Sequence, residues 1–240
     1  MSHETDVLII GCGIAGAAAA LRLSEDPSCR VLVVTRADDP EESATRYAQG
    51  GIVGEAPDDS PDLLAHDIRE AGADLCLPAA VEALATDGPS LVSEILVDRL
   101  GVAFTQAEDG SFELALEAAH SVPRILHARD ATGRVIEERL VAALRARPNV
   151  RWLAGWTAVD LITSPHHDTN PHAIYGSVAC HGVYALDQAT HEIHRLLSPV
   201  TLLATGGLGR IYRHTSNPAG NDLWVLRPSR RGKCYARRRR

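Results

Sequence analysis

One run of about thirty residues near the start limits the possible folds most tightly. Asp6–Ile10 reads DVLII, Gly11–Gly16 reads GCGIAG, AAAALRL follows, and Val31–Thr35 reads VLVVT. Short, unbroken apolar runs of this kind suit strands buried on both faces, as in a parallel sheet. Parallel neighbours cannot be joined by a tight turn, so the chain between them must cross over, usually as a helix. Leu21, Leu23 and the alanines around them predict that helix, with Pro27 marking its end. The predicted class is therefore α/β: a Rossmann-like domain with a parallel sheet. Aromatic residues make up only 4% of the chain against 45% apolar residues overall. Cores built from Ala, Val and Leu suit helices packed closely on a sheet.

Gly11, Gly13 and Gly16 form G-x-G-x-x-G between the first strand and the helix. In such a motif the first glycine allows the tight turn, the second lets a pyrophosphate approach the backbone, and the third lets helix and strand pack closely. The helix start then offers its N–H groups and positive dipole end to phosphate. Cys12, Ile14 and Ala15 lie within the same turn. An acidic residue commonly ends the second strand and accepts from the ribose hydroxyls. Thr35 and Arg36 stand there instead. Thr35 can still bond a hydroxyl, and Arg36 can stack on adenine or meet phosphate. On these residues alone NAD, NADP and FAD all remain open.

Further along, periodicity predicts helices over 62–68, 78–84 and 90–100, the last with Ser90 as N-cap and Gly101 as its stop. Residues 102–116 alternate around Asp109-Gly110 and predict a hairpin. Thr132–Arg147 is the clearest amphipathic helix, ended by Pro148. Strands are expected at 150–152 and 157–162, a second hairpin at 177–186 and 191–197, and a buried strand at 200–204 that enters Thr205-Gly206-Gly207. The predicted organisation is a dinucleotide-binding domain over residues 1–220 with a helical excursion at about 55–123, followed by a basic tail at 221–240.

The five cysteines are odd in number, scattered, and never spaced C-x-x-C. This argues against a disulfide framework and fits a reducing, cytoplasmic setting. No secretory leader and no membrane span is expected. His166, His167, Asp168 and His172 lack the fixed spacing of a metal site, so no metal is expected. The formal net charge is −7, yet every charged residue after Asp222 is basic. Such a tail could suggest a nucleic-acid or membrane-surface arm, but a different origin is expected, for the reason below.

Four blocks together resemble one family. They are DVLIIGCGIAG, the loop around TRYAQGG (Thr45–Gly51), RILHARDATG (Arg124–Gly133) and LLATGGLGRIY (Leu202–Tyr212). In order and separation they are similar to the flavoprotein family that includes L-aspartate oxidase and the flavoprotein subunits of succinate dehydrogenase and fumarate reductase. The resemblance selects FAD from the three cofactors. It implies that Ser43, Thr45 and Gln49 supply hydrogen bonds along the flavin and that Gly50 and Gly51 allow close approach. Ala44, Tyr47 and Ala48 share that loop, and Thr205, Gly206 and Gly207 form the later cofactor-binding block. Family members with covalent FAD carry a histidine where this chain has Ala44, which implies non-covalent FAD.

Glu117 and His120, in LEAAHS, resemble the Glu-Gly-Gly-His-Ser run of aspartate oxidases, whose glutamate faces the substrate amino group. A carboxylate suits an ammonium, which succinate lacks. Ala118 and Ala119 replace the two glycines, and a positive φ at either would cost about 1 kcal/mol. The implied activity is oxidation of L-aspartate to iminosuccinate, with FAD taking the hydride and oxygen or fumarate as final acceptor. It implies a functional link to quinolinate synthase and NAD biosynthesis, with no nucleic-acid or membrane partner. A soluble fumarate reductase is the alternative within the family. The resemblance stops at Asn217-Pro218, without the family's A-T-G-D-G block or its capping domain. The expectation is a frameshift near 219–221, a C-terminally incomplete sheet, and an inactive 240-residue chain.

Overall fold

A computed structural model describes residues 3–164, 167, 169–170, 172, 175–207, 209 and 212–218. The expected basic tail, together with His166 and Asp168, lies outside the described residues. The chain forms two compact units, one of residues 1–44 and 144–240 and the other of residues 45–143.

The first unit is built on a four-stranded parallel sheet. In chain order its elements begin with β1 (His3–Glu4), β2 (Val7–Ile10), helix α1 (Ile14–Leu23) and β3 (Val31–Thr35). After the excursion through the second unit come β7 (Val150–Ala154), β8 (Trp156–Ser164), β9 (Ala179–Asp187), β10 (Ile193–Leu197) and β11 (Val200–Leu203). The parallel sheet has the order β11-β2-β3-β7. Both β2 and β3 are buried along their whole length, as unbroken apolar runs predict. A second sheet, β1-β10-β9-β8, is antiparallel apart from the β1–β10 pair. Leu8, Ile10, Leu32 and Val34 of the first sheet pack on Ala158, Val183, Ala185 and Leu196 of the second. The expected hairpin forms between β9 and β10, with its turn at 188–192, one to two residues later than the sequence predicts.

Two expectations in this unit need correction. Helix α1 ends at Leu23, before Pro27, because Ser24 closes it: its N–H reaches the Ala20 carbonyl and its hydroxyl the Leu21 carbonyl. The strand at 200–203 is not buried. Val200 is 53% and Leu202 36% exposed, because β11 pairs only with β2 and forms an edge among the described residues.

The second unit contains β4 (Ile52–Val53), α2 (Pro61–Ala71), α3 (Pro78–Leu91), β5 (Leu114–Ala115), β6 (Ile125–Leu126) and most of α4 (Thr132–Arg145). Its small antiparallel sheet has the order β4-β6-β5. Ser60 caps α2 by accepting from the Leu63 amide, and Pro61 sits at the first helical position, where a missing N–H does no harm. Leu64 and Ala65 of α2 pack on Val81 and Ala85 of α3.

Ser90 is not an N-cap. Helix α3 runs through Pro89 to Leu91 and continues as a π-helical stretch, Val92–Arg99, while the Ser90 hydroxyl bonds back to the Asp87 carbonyl. Proline removes one helical hydrogen bond but need not end a helix whose buried face continues, here from Val81 and Ala85 to Leu96. Gly101 stops it at φ +59°, as the sequence predicts. The hairpin at 102–116 is reduced to a bridge between Gln106 and Phe112, and Leu114–Ala115 pairs with β6 instead.

Candidate functional site

The parallel register brings three expected segments of the first unit to one edge. Ile10 pairs with Val34 and with Leu203, so Gly11, Ala204 and the last residue of β3, Thr35, lie side by side. The Gly11 amide donates to the Val34 carbonyl at 2.8 Å, and the Ala204 amide to the Ile10 carbonyl at 2.8 Å. Strand β2 feeds α1 and β3 on one side and has β11 on the other, so the chain diverges at its C-terminal end. Crevices at such switch points are where open α/β sheets bind ligands.

The turn itself is set by packing. Gly11 has φ +104°, and a β-carbon there would lie 2.3 Å from the Ala204 carbonyl oxygen. One at Gly16 would lie 2.1 Å from the Gly11 carbonyl oxygen. These two glycines are therefore required by backbone packing alone, Gly11 against the end of β11 and Gly16 against the Gly11 turn. Gly13 is the N-cap of α1 with extended backbone; among the described residues no side chain caps this end, and the first turn holds no acidic residue. A helix start free of negative charge suits a pyrophosphate, so these residues fit a dinucleotide. Cys12 is buried, Ile14 half-buried and Ala15 exposed. Thr35 is buried and Arg36 exposed, with its carbonyl accepting from Gln188 Nε2 at 2.7 Å. Thr205 is half-buried; Gly206 has φ +75°, and a β-carbon at Gly207 would meet no atom of the described residues within 4 Å.

The expected flavin loop divides between the units. Ser43 and Ala44 end the first segment of unit one, and Thr45–Gly51 open unit two. Thr45–Tyr47 forms a single 3-10 turn. Beyond it, the Ala48 carbonyl accepts from the Gly133 amide at 2.8 Å, and the Gln49 carbonyl lies 3.5 Å from the Thr132 hydroxyl. The loop is thus fastened to the start of α4, which joins the TRYAQGG and RDATG blocks. The Gln49 side chain is exposed.

Glu117 meets this loop. A β-carbon at Gly50 would lie 2.9 Å from Glu117 Oε1 and 3.2 Å from Oε2. The carboxylate is exposed, and the His120 amide donates to the Glu117 carbonyl at 3.2 Å, closing a short turn. Ala119 in that turn has φ +67°, the left-handed backbone that an alanine adopts at a cost.

Below the turn lies a buried ionic cluster that sequence reasoning missed. Arg124 is 0% exposed. Its NH1 donates to Asp67 Oδ2 at 2.6 Å and its NH2 to Asp59 Oδ1 at 2.8 Å. Its Nε lies 2.7 Å from Asp59 Oδ2, a charge contact. NH1 also lies 3.0 Å from His120 Nδ1. Asp67 accepts from the Ser121 amide at 2.8 Å and hydroxyl at 2.6 Å. Burial pushes the Asp67 carboxyl up, but Ser121 and Arg124 together outweigh it and hold it at about 2. The only sequence signal was Arg124 itself, the one charge in an otherwise strand-like PRIL run.

The family profile described as FAD binding domain (FAD_binding_2) matches residues 6–224. The chain belongs to this FAD-binding family. Its cofactor is FAD. Among curated relatives, L-aspartate oxidase 2-b of Nicotiana tabacum is 40% identical over 214 residues, covering 89% of this chain and 31% of that protein. L-aspartate oxidase of Halobacterium salinarum is 41% identical over 217 residues, covering 90% of this chain and 40% of that one. The chain therefore spans about a third of the tobacco relative's length. Among solved structures, a chain of E. coli quinol fumarate reductase superposes with a TM-score of 0.81 at 22% identity, over 91% of this chain and 35% of that one. A likeness of that kind carries the fold, and it agrees with the mixed parallel and antiparallel α/β architecture. No helix among the described residues is long and apolar enough to cross a membrane.

Proposed function

We propose that this chain is the FAD-binding part of an L-aspartate oxidase, holding FAD without a covalent bond. The observation that carries the reading is the Glu117 carboxylate lying against Gly50 of the TRYAQGG loop. An exposed carboxylate lying against a loop expected to line the flavin is a natural partner for a substrate ammonium. About 40% identity to L-aspartate oxidases over nine-tenths of the chain supports it.

The start of α1 and Gly11–Gly16 would hold the pyrophosphate, Thr35 and Arg36 the ribose and adenine, and Thr205–Gly207 a further stretch of the cofactor. Ser43, Thr45 and Gln49 would bond along the flavin, and Ala44 offers no atom for a covalent link. When bound, FAD supplies a two-electron acceptor for hydride. Glu117 would bind the substrate ammonium and His120 would orient the substrate, so their contribution is positioning and fixed charge. The product, iminosuccinate, suits a reaction condensing it toward quinolinate, and a cytoplasmic setting accords with the scattered free thiols. Residues 1–220 are read as one FAD-binding domain carrying the excursion at about 55–123.

Two measurements test this. The purified chain reconstituted with FAD should retain a flavin absorption band through gel filtration and lose it on denaturation. A colourless protein would overturn the FAD assignment. The intact gene product should release peroxide with L-aspartate and none with succinate; succinate oxidation without aspartate oxidation would favour the fumarate reductase alternative.

A further inference from the structure

Arg124 is fully buried and pairs with two carboxylates, Asp59 and Asp67. A guanidinium out of water needs such partners. Beside its bond to Asp67, NH1 also faces His120 Nδ1 at 3.0 Å. Arginine carries five N–H donors, no acceptor, and cannot lose its proton in a protein. Nδ1 must therefore be the accepting nitrogen, and the imidazole proton sits on Nε2. Among the described residues, no protein group bonds to Nε2. The ring is half-buried and stands three residues after Glu117, within the turn closed by the His120 amide.

We propose that Arg124 is a positioning residue that fixes His120 as its Nε2–H tautomer, so that the ring presents one neutral N–H donor to a carboxylate oxygen of the substrate whose ammonium meets Glu117. This rests on the aspartate reading above for the identity of the substrate, though not for the tautomer. An acceptor carboxylate and a donor N–H one turn apart complement the ammonium and carboxylate of an α-amino acid. Ser121 anchors the far side of the turn to Asp67, so the donor's position is set by the same cluster that sets its tautomer.

The test is a long-range proton–nitrogen correlation spectrum of the uniformly nitrogen-15-labelled, FAD-loaded intact gene product, with His120→Gln identifying the ring signals. The expected pattern is a protonated Nε2 and an unprotonated Nδ1. Arg124→Gln replaces a donor-only group by an amide that can donate or accept, and should give a mixture of tautomers and at least tenfold weaker L-aspartate binding in titration of the Nε2 signal. A protonated Nδ1 in the wild type, or an unchanged pure Nε2–H ring in Arg124→Gln, overturns the proposal. If Arg124→Gln does not fold, the wild-type pattern alone decides, in either direction. The expected tautomer with no response of any His120 signal to L-aspartate would uphold the positioning role and sink the aspartate reading.

Discussion

The Glu117 carboxylate occupies the space that a side chain on Gly50 would take, with Oε1 2.9 Å from where that β-carbon would be. A loop glycine and a residue nearly seventy positions away thus share one point in the second unit. Within the protein, Gly50 makes room for a carboxylate.

Gly50→Ala should therefore act on substrate more than on fold. The added methyl displaces a flexible, exposed side chain, so stability should change little. Losing a charge-assisted contact costs about 1.5–3 kcal/mol, or roughly 10- to 100-fold in KM for L-aspartate. Glu117→Gln should give a similar rise, and the double variant should show little more than either alone. Steady-state peroxide assays on the intact gene product measure this; additive losses would separate the two residues.

Ala119→Gly should stabilise the second unit. Left-handed backbone costs a non-glycine residue about 1–2 kcal/mol, and Ala119 sits at φ +67°. Glycine gives back about 0.4–1 kcal/mol through the greater freedom of the unfolded chain. A net gain of about 0.5–1 kcal/mol is expected from these terms. Urea unfolding midpoints read it directly, and a lower midpoint would contradict the strain.

Asp67 should confer acid sensitivity. Its carboxyl sits at about 2, below its ordinary 3.8. A depressed carboxylate contributes stability that is complete above the unfolded value and fades as pH falls toward the folded one. Denaturation midpoints should therefore drop between about pH 4 and pH 2 in the wild type, and less steeply in Asp67→Asn. At neutral pH, removing this partner leaves Arg124 under-compensated and should destabilise by about 3–5 kcal/mol. Identical acid limbs in the two proteins would argue against the pairing.

Gly16 and Gly207 should separate packing from ligand approach. A β-carbon at Gly16 would press to 2.1 Å from the Gly11 carbonyl oxygen, whereas one at Gly207 meets no atom of the described residues within 4 Å. Gly16→Ala should lower the thermal midpoint of the FAD-free chain and abolish flavin retention together. Gly207→Ala should leave that midpoint unchanged and weaken FAD binding about tenfold, the scale of a lost neutral contact of about 1.4 kcal/mol. A Gly207→Ala chain that binds FAD normally would remove Gly207 from the cofactor site.

Local pattern by itself determined the parallel strands at 7–10 and 31–35, the glycine turn between strand and helix, the amphipathic helix at 132–145 and the stop at Gly101, because each depends on side-chain periodicity or on a backbone angle that one residue type supplies. It pointed to Glu117 and His120 only through resemblance to a family. Only the tertiary structure decided that Val200 and Leu202 lie on a sheet edge, since an apolar run reads the same whether one neighbour is present or two. It alone decided that the helix at 78–91 passes through Pro89, because burial on one face outweighs the single bond that proline removes. The Asp59–Asp67–Arg124 cluster was illegible for the same reason. Asp67 and Asp59 lie 57 and 65 positions from Arg124, and a charge reveals whether it is buried only when the fold brings another charge to meet it.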